Sequence, residues 1–183
     1  MKLLSKAVFV TLVLVGVAAS GAHAQGGIGF YGVGGRLFYV NPEDVDGTIG
    51  FGAFANLGQI GENMNLEAAL DYWSKSAKEG GVGASFSDIA IMGVVKYMLG
   101  AADAQMRPYV LAGAGLHFLK VEVDLGFLGS ASDSDTKLGI DAGAGVLYMM
   151  NEKMDIIAEI KYRLVSDLNQ LVISVGGVFA LGK

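Results

Sequence analysis

From about residue 28 onward, apolar side chains alternate with polar or small ones at period two in eight stretches of roughly ten to fifteen residues. The pattern predicts strands at Ile28 to Val40, Thr48 to Gln59, Met64 to Ser74, Phe86 to Leu99, Arg107 to Glu122, Thr136 to Met149, Lys153 to Val165 and Asn169 to Leu181. In the third stretch Leu66, Ala68, Leu70 and Tyr72 share one face and Glu67, Ala69, Asp71 and Trp73 the other. In the seventh, Ile156, Ala158, Ile160, Tyr162 and Leu164 stand opposite Asp155, Ile157, Glu159, Lys161 and Arg163. A helix would scatter these charges around its axis, whereas a strand collects them on one side.

Charges collected on one face and apolar groups on the other suit a wall with hydrocarbon outside and a polar interior. The same parity turns Arg36, Lys96 and Asp141 inward, because their neighbours Leu37, Val95, Tyr97 and Ile140 are natural lipid-facing residues. The mid-strand interior charges are then Arg36, Lys96, Lys161 and Arg163 against Glu67, Asp71, Asp141 and Glu159, with His117 expected to join by hydrogen bonding. Four charges of each sign predict a paired, closed lumen rather than a selective pore. The expected fold is all-β: an eight-stranded antiparallel up-and-down transmembrane β-barrel, whose interior eight strands leave just wide enough for side chains to fill.

Residues 1–24 are read as a signal peptide, with Lys2 and Lys6 before an apolar core, Ala7 to Val17, and Ala22-His23-Ala24 ahead of a cleavage point at Gln25. The core is too short for a membrane anchor, which needs about 20 apolar residues. The barrel domain would then comprise residues 25–183, with eleven basic residues against 18 acidic ones. That balance excludes nucleic acid as a partner, since phosphate backbones are held by clustered Lys and Arg. The chain has no cysteine, so neither a disulfide framework nor a lipid-modified cysteine is available to it. It is 52% hydrophobic, yet its greasiest stretch after the signal, Ile89 to Leu99, is short and contains Lys96. A membrane chain without spanning helices must close a barrel, because lipid excludes unpaired backbone groups.

The connections alternate in character. Gly61-Glu62-Asn63, Gly100 to Gln105 and Asn151-Glu152 are tight, whereas Asn41 to Gly47, Lys75 to Ser85 and Val123 to Asp135 are longer or richer in glycine, serine and acid. Barrels of this type keep short turns in the periplasm and long loops outside, which puts both termini in the periplasm. Ala112-Gly113-Ala114-Gly115 and Ala142-Gly143-Ala144-Gly145 echo one another on strands five and six. With the alanines facing lipid, the glycines face the lumen and make room for bulky neighbours such as Tyr109 or Phe54, the competing use being a small cavity near the periplasmic end.

Three segments carry the resemblance to a known family: Arg107-Pro108-Tyr109-Val110-Leu111-Ala112-Gly113-Ala114-Gly115, then Ala142 to Tyr148, then Ile157 to Arg163. In these the chain resembles the small eight-stranded outer-membrane β-barrels, the opacity-like and porin-superfamily barrel domains, over essentially all of residues 25–183. The resemblance implies a cell outer-membrane location in a Gram-negative envelope and a non-enzymatic structural or adhesin-like role. It also implies three kinds of contact: outer-membrane lipid, the barrel-insertion machinery during biogenesis, and an extracellular or host surface ligand reached through the loops. Family members commonly finish on an aromatic residue read by that machinery. This chain ends Phe179-Ala180-Leu181-Gly182-Lys183, with Phe179 on the lipid-facing register.

Chemistry adds little. No catalytic, cofactor or metal site is expected: after the signal His117 is the one histidine, and Leu116-His117-Phe118 lacks the nearby serine of barrel lipid deacylases. Asp124, Asp133 and Asp135 with Ser134 fail the twelve-residue calcium-loop pattern and read as a solvated tip. Gly32-Val33-Gly34-Gly35 lacks the third glycine and the helix of a dinucleotide site, so a curved first strand explains it. Tyr31, Tyr39, Tyr72, Trp73, Tyr97, Tyr109, Tyr148 and Tyr162 are expected as interfacial girdles. Two rival functions share the strand count: a transport or binding barrel for a small apolar molecule, and a soluble lipocalin-like binder with the facing reversed.

Overall fold

The computed structural model describes residues 28–43, 45–79, 82–124, 129–166 and 168–181. The expected signal peptide lies outside them. Eight strands follow in order: β1 (Gly32–Pro42), β2 (Thr48–Gly61), β3 (Met64–Glu79), β4 (Val82–Met98), β5 (Met106–Asp124), β6 (Ser130–Asn151), β7 (Met154–Val165) and β8 (Gln170–Ala180). Each pairs antiparallel with the next, and β1 pairs with β8 from Gly32↔Ala180 to Pro42↔Gln170, which closes the barrel. The expected order, direction and closure are those observed. β1 starts later than expected, although Gly29 and Tyr31 already donate amides to Leu57 and Asn56 of β2.

The side chains are inverted relative to a water-soluble domain. Ile49 is 72% exposed, Leu138 73% and Leu37 61%, while Arg163, Asp141 and Asp88 are fully buried. An apolar surface this continuous is compatible with hydrocarbon, not water. The lipocalin-like reading required the opposite facing and is excluded. No helix among the described residues is long and apolar enough to cross a membrane.

Two interior apolar clusters flank the charges. One holds Phe54, Met92, Tyr109 and Ile157; the other holds Phe38, Val40, Trp73 and Val172. On β3 the inward residues run Glu67, Ala69, Asp71, Trp73, so Asp71 lies between a residue of each cluster. Glycine makes this packing sterically feasible: a Cβ on Gly145 would sit 2.6 Å from the Tyr109 ring, and one on Gly34 would collide with that of Phe54. The room for Tyr109 therefore does come from the strand-six glycine repeat, but the room for Phe54 comes from the first strand.

Two expectations need correction. Trp73 and Tyr109 are 1% exposed and belong inside, whereas Tyr31, Tyr39, Tyr97, Tyr148 and Tyr162 do face outward. Their parity already placed them on the charged face, and buried aromatics fill volume that charged chains leave open. The stretches Lys75 to Ser85 and Val123 to Asp135 are mostly not loops. β3 pairs with β4 from Met64↔Tyr97 as far as Glu79↔Val82, and β5 with β6 as far as Asp124↔Ser130, so both hairpins continue as arms above the barrel. A ladder satisfies the backbone groups that a loop would leave to water. Ser130 to Thr136, exposed at every position, carries no apolar alternation by which sequence could reveal it.

Candidate functional site: the filled lumen

All nine residues expected inside are buried, none more than 5% exposed. They come from six strands, since inward positions recur at every second residue and neighbouring registers bring them level. The centre is Asp71 on β3. It receives Nε and Nη2 of Arg36 at 2.9 and 3.0 Å, Nη2 of Arg163 at 2.9 Å, and Nζ of Lys161 at 3.5 Å. Arg163 also grips Asp141 two-pronged, through Nε at 2.8 Å and Nη2 at 3.0 Å, and Lys161 reaches the same carboxylate at 3.2 Å. Such forked pairs fix geometry as well as charge.

Toward the short turns, Lys96 bridges Glu67 and Glu159 at 2.6 and 2.8 Å, and Arg36 Nη1 approaches the same two acids at 3.4 Å. The Tyr109 hydroxyl donates to Glu159 at 2.7 Å. The Lys96 ammonium lies 5.4 Å from the Phe54 ring centre and 5.1 Å from that of Tyr109, within cation–π range. Eight of the nine residues thus form one connected network.

His117 stands apart. Its Nδ1 lies 2.9 Å from Asp88, which also accepts from Gln170 Nε2 at 3.0 Å, and no contact joins it directly to the other eight. Asp88 and Gln170 were missed by sequence reasoning, as was Ser174 beside Glu159. The signal was available for Asp88: it has the parity of Lys96 on the same strand, and lies in register with inward Trp73. Among the described residues the buried inventory is therefore five acids against four basic side chains and one imidazole, not four against four.

This arrangement neutralises charge and fills space; it offers little to a substrate. His117 is sealed, with Nε2 unpaired against the backbone at Gly139. Among the described residues no three acids or histidines gather to hold a metal ion. A cavity of about 50 Å³ lies at the short-turn end, lined by Asn56, Asn65, Lys96, Tyr109, Leu147 and Asp155 among others; none of the repeat glycines lines it.

The sequence profile of the outer membrane protein beta-barrel domain matches residues 9–179. Among solved structures the chain is similar to Neisserial surface protein A, with 17% identity and a TM-score of 0.61, over 84% of this chain and 98% of that one. It is also similar to the attachment invasion locus protein Ail of Yersinia pestis, with 15% identity and a TM-score of 0.58, over 83% and 97%. A major outer membrane protein of Thermus thermophilus aligns with 7% identity and a TM-score of 0.62, over 87% and 100%. At such identities the likeness is one of fold. No curated protein matches.

Proposed function

Since the chain belongs to the outer membrane protein beta-barrel domain family and is a protein of the outer membrane, we propose that it is a non-enzymatic surface protein: an inert, closed barrel holding interactive arms outside the cell. The observation that carries this reading is the lumen, where Asp71, Asp141, Glu67 and Glu159 are each ion-paired to more than one of Arg36, Lys96, Lys161 and Arg163. Opening a path would strip buried charges of their partners, at about 3–5 kcal/mol for each broken pair. A carrier of small apolar molecules needs an apolar chamber, and the cavity of about 50 Å³ beside Lys96 and Asp155 is too small and too polar for one.

Length supports the orientation. The hairpins β3–β4 and β5–β6 rise at the end opposite the tight turns, the end that barrels of this kind expose to the outside. The Yersinia pestis protein was crystallised with the heparin analogue sucrose octasulfate. A polysulfated ligand is a poor match here, because on the arms Lys120 and Lys137 are already ion-paired to Glu122 and Asp135 and stand beside Asp124 and Asp133. Export through residues 1–24 and hand-over to the barrel-insertion machinery, with outward Phe179 on the last strand, complete the proposal.

The test is conductance in planar bilayers together with adhesion of cells carrying the protein. We expect no current above the detergent blank and a gain in adhesion. A stable open channel would reject the closed-lumen reading.

A further inference from the structure

Among the described residues five buried side-chain atoms have no hydrogen-bond partner: Trp73 Nε1, Arg107 Nε, His117 Nε2, Arg163 Nη1 and Gln170 Oε1. Nearly every buried polar atom of a native protein is paired, so each of these needs an account. Arg107 opens β5 beside a tight turn, and His117 Nε2 packs against Gly139. The other three belong to residues in the half of the lumen nearer the arms.

Each of the three is held by the other contacts of its own side chain. Arg163 gives Nε and Nη2 to Asp141 and Nη2 also to Asp71, so the rigid plane of the guanidinium fixes where Nη1 points. Gln170 donates Nε2 to Asp88 at 3.0 Å, and because a carboxylate only accepts, the amide cannot be flipped. Its unpaired atom is therefore an acceptor. Trp73 stacks on Phe86 with ring centres 5.4 Å apart, which holds its indole N–H in place.

The three residues also lie on one closed circuit. Asp71 and Trp73 are successive inward residues of β3, Trp73 is in register with Asp88, Asp88 accepts from Gln170, Gln170 is in register with Arg163, and Arg163 returns to Asp71. Residues directly opposed across strands carry their Cβ atoms about 5 Å apart, so the circuit is small. What it leaves over is two donors and one acceptor. We propose that one buried water is built into this circuit, accepting from Trp73 Nε1 and Arg163 Nη1 and donating to Gln170 Oε1 and to the Asp88 carboxylate. Four partners complete its hydrogen bonding. A metal cation is repelled by the two donors, and an anion by Gln170 Oε1 and Asp88. Through this water the His117–Asp88–Gln170 group joins the eight-residue network, and the interior polar residues act as one unit.

Trp73 is the one tryptophan of the chain, so its indole N–H gives a single NMR signal in the protein held in lipid nanodiscs. We expect a cross-peak from that proton to water, with the sign of a long-lived bound molecule in the rotating-frame spectrum rather than that of proton exchange. Gln170→Leu should abolish it while the strand amide signals keep their positions. In a double-variant cycle, Trp73→Phe and Gln170→Leu each release the same water, so their unfolding constants should fall short of multiplying by about threefold or more. No cross-peak from the folded wild type, or one that survives unchanged in Gln170→Leu, overturns the proposal, and the wild-type result stands even if the variant does not fold. So does a shift of the indole signal when bromide replaces chloride, which would make the occupant an anion. The water rests on the closed-lumen reading: a barrel that conducts loses both, whereas one that stays closed without the cross-peak loses the water alone.

Discussion

The arms continue four strands of the membrane wall, β3 to β6, yet the residues of arm and wall follow opposite rules. Within the wall, Leu70 and Ile140 face outward and Asp71 and Asp141 inward, an alternation imposed by hydrocarbon on one side. In the arms, Ser130 to Thr136 is polar on both faces and exposed throughout. The backbone ladder does not change at the boundary; the solvent does. Side-chain pattern therefore reports what surrounds a strand, while hydrogen-bond pairing alone makes it one.

If that contrast is right, substitutions in the wall should be costly and those in the arms nearly silent. The largest effect belongs to the charge network. Arg163→Leu strips Asp141 of its two-pronged partner, and Glu159→Leu leaves Lys96 and Arg36 short of an acid; each should cost on the order of 3 kcal/mol. Thermal unfolding in detergent, followed by heat-modifiable gel mobility, measures it, and unchanged melting for both would break the comparison at its root. Next comes Gly145→Val, which drives a side chain into the Tyr109 ring and the Ala158 carbonyl, at about 1–3 kcal/mol. Relief by Tyr109→Leu in the double variant would localise the clash. His117→Ala removes one of two partners of buried Asp88 and should cost about 1–2 kcal/mol. A loss as large as that of Arg163→Leu would mean the two interior polar groups act as one. Smallest is Ser132→Thr on the arm, expected within about 0.5 kcal/mol, since its side chain is exposed. A clear drop in melting temperature there would show that the arms support the wall.

Legibility varied by residue for physical reasons. Glu159, Lys161 and Arg163 could be turned inward from sequence because lipid-suited Ile160, Tyr162 and Leu164 interleave with them. Asp88 escapes this pattern because its outward neighbours include Ser87 and the predicted strand begins at Phe86, near the edge of the alternation. Residue type points Trp73 and Tyr109 to the membrane interface, whereas their parity points inward. Fill of the lumen overrode the general liking of aromatics for interfaces.

Sequence by itself determined the strand number, the face each wall strand turns to lipid, and the identity of the main interior charges. Those properties follow from period-two alternation against one fixed solvent, which every residue feels independently. The tertiary structure alone decided who pairs with whom: that Asp71 gathers three cations, that His117 turns to Asp88, and that β6 outruns its pairing with β7 by nine residues. Partners and edges depend on the register between strands, a relation between distant segments that no local pattern encodes.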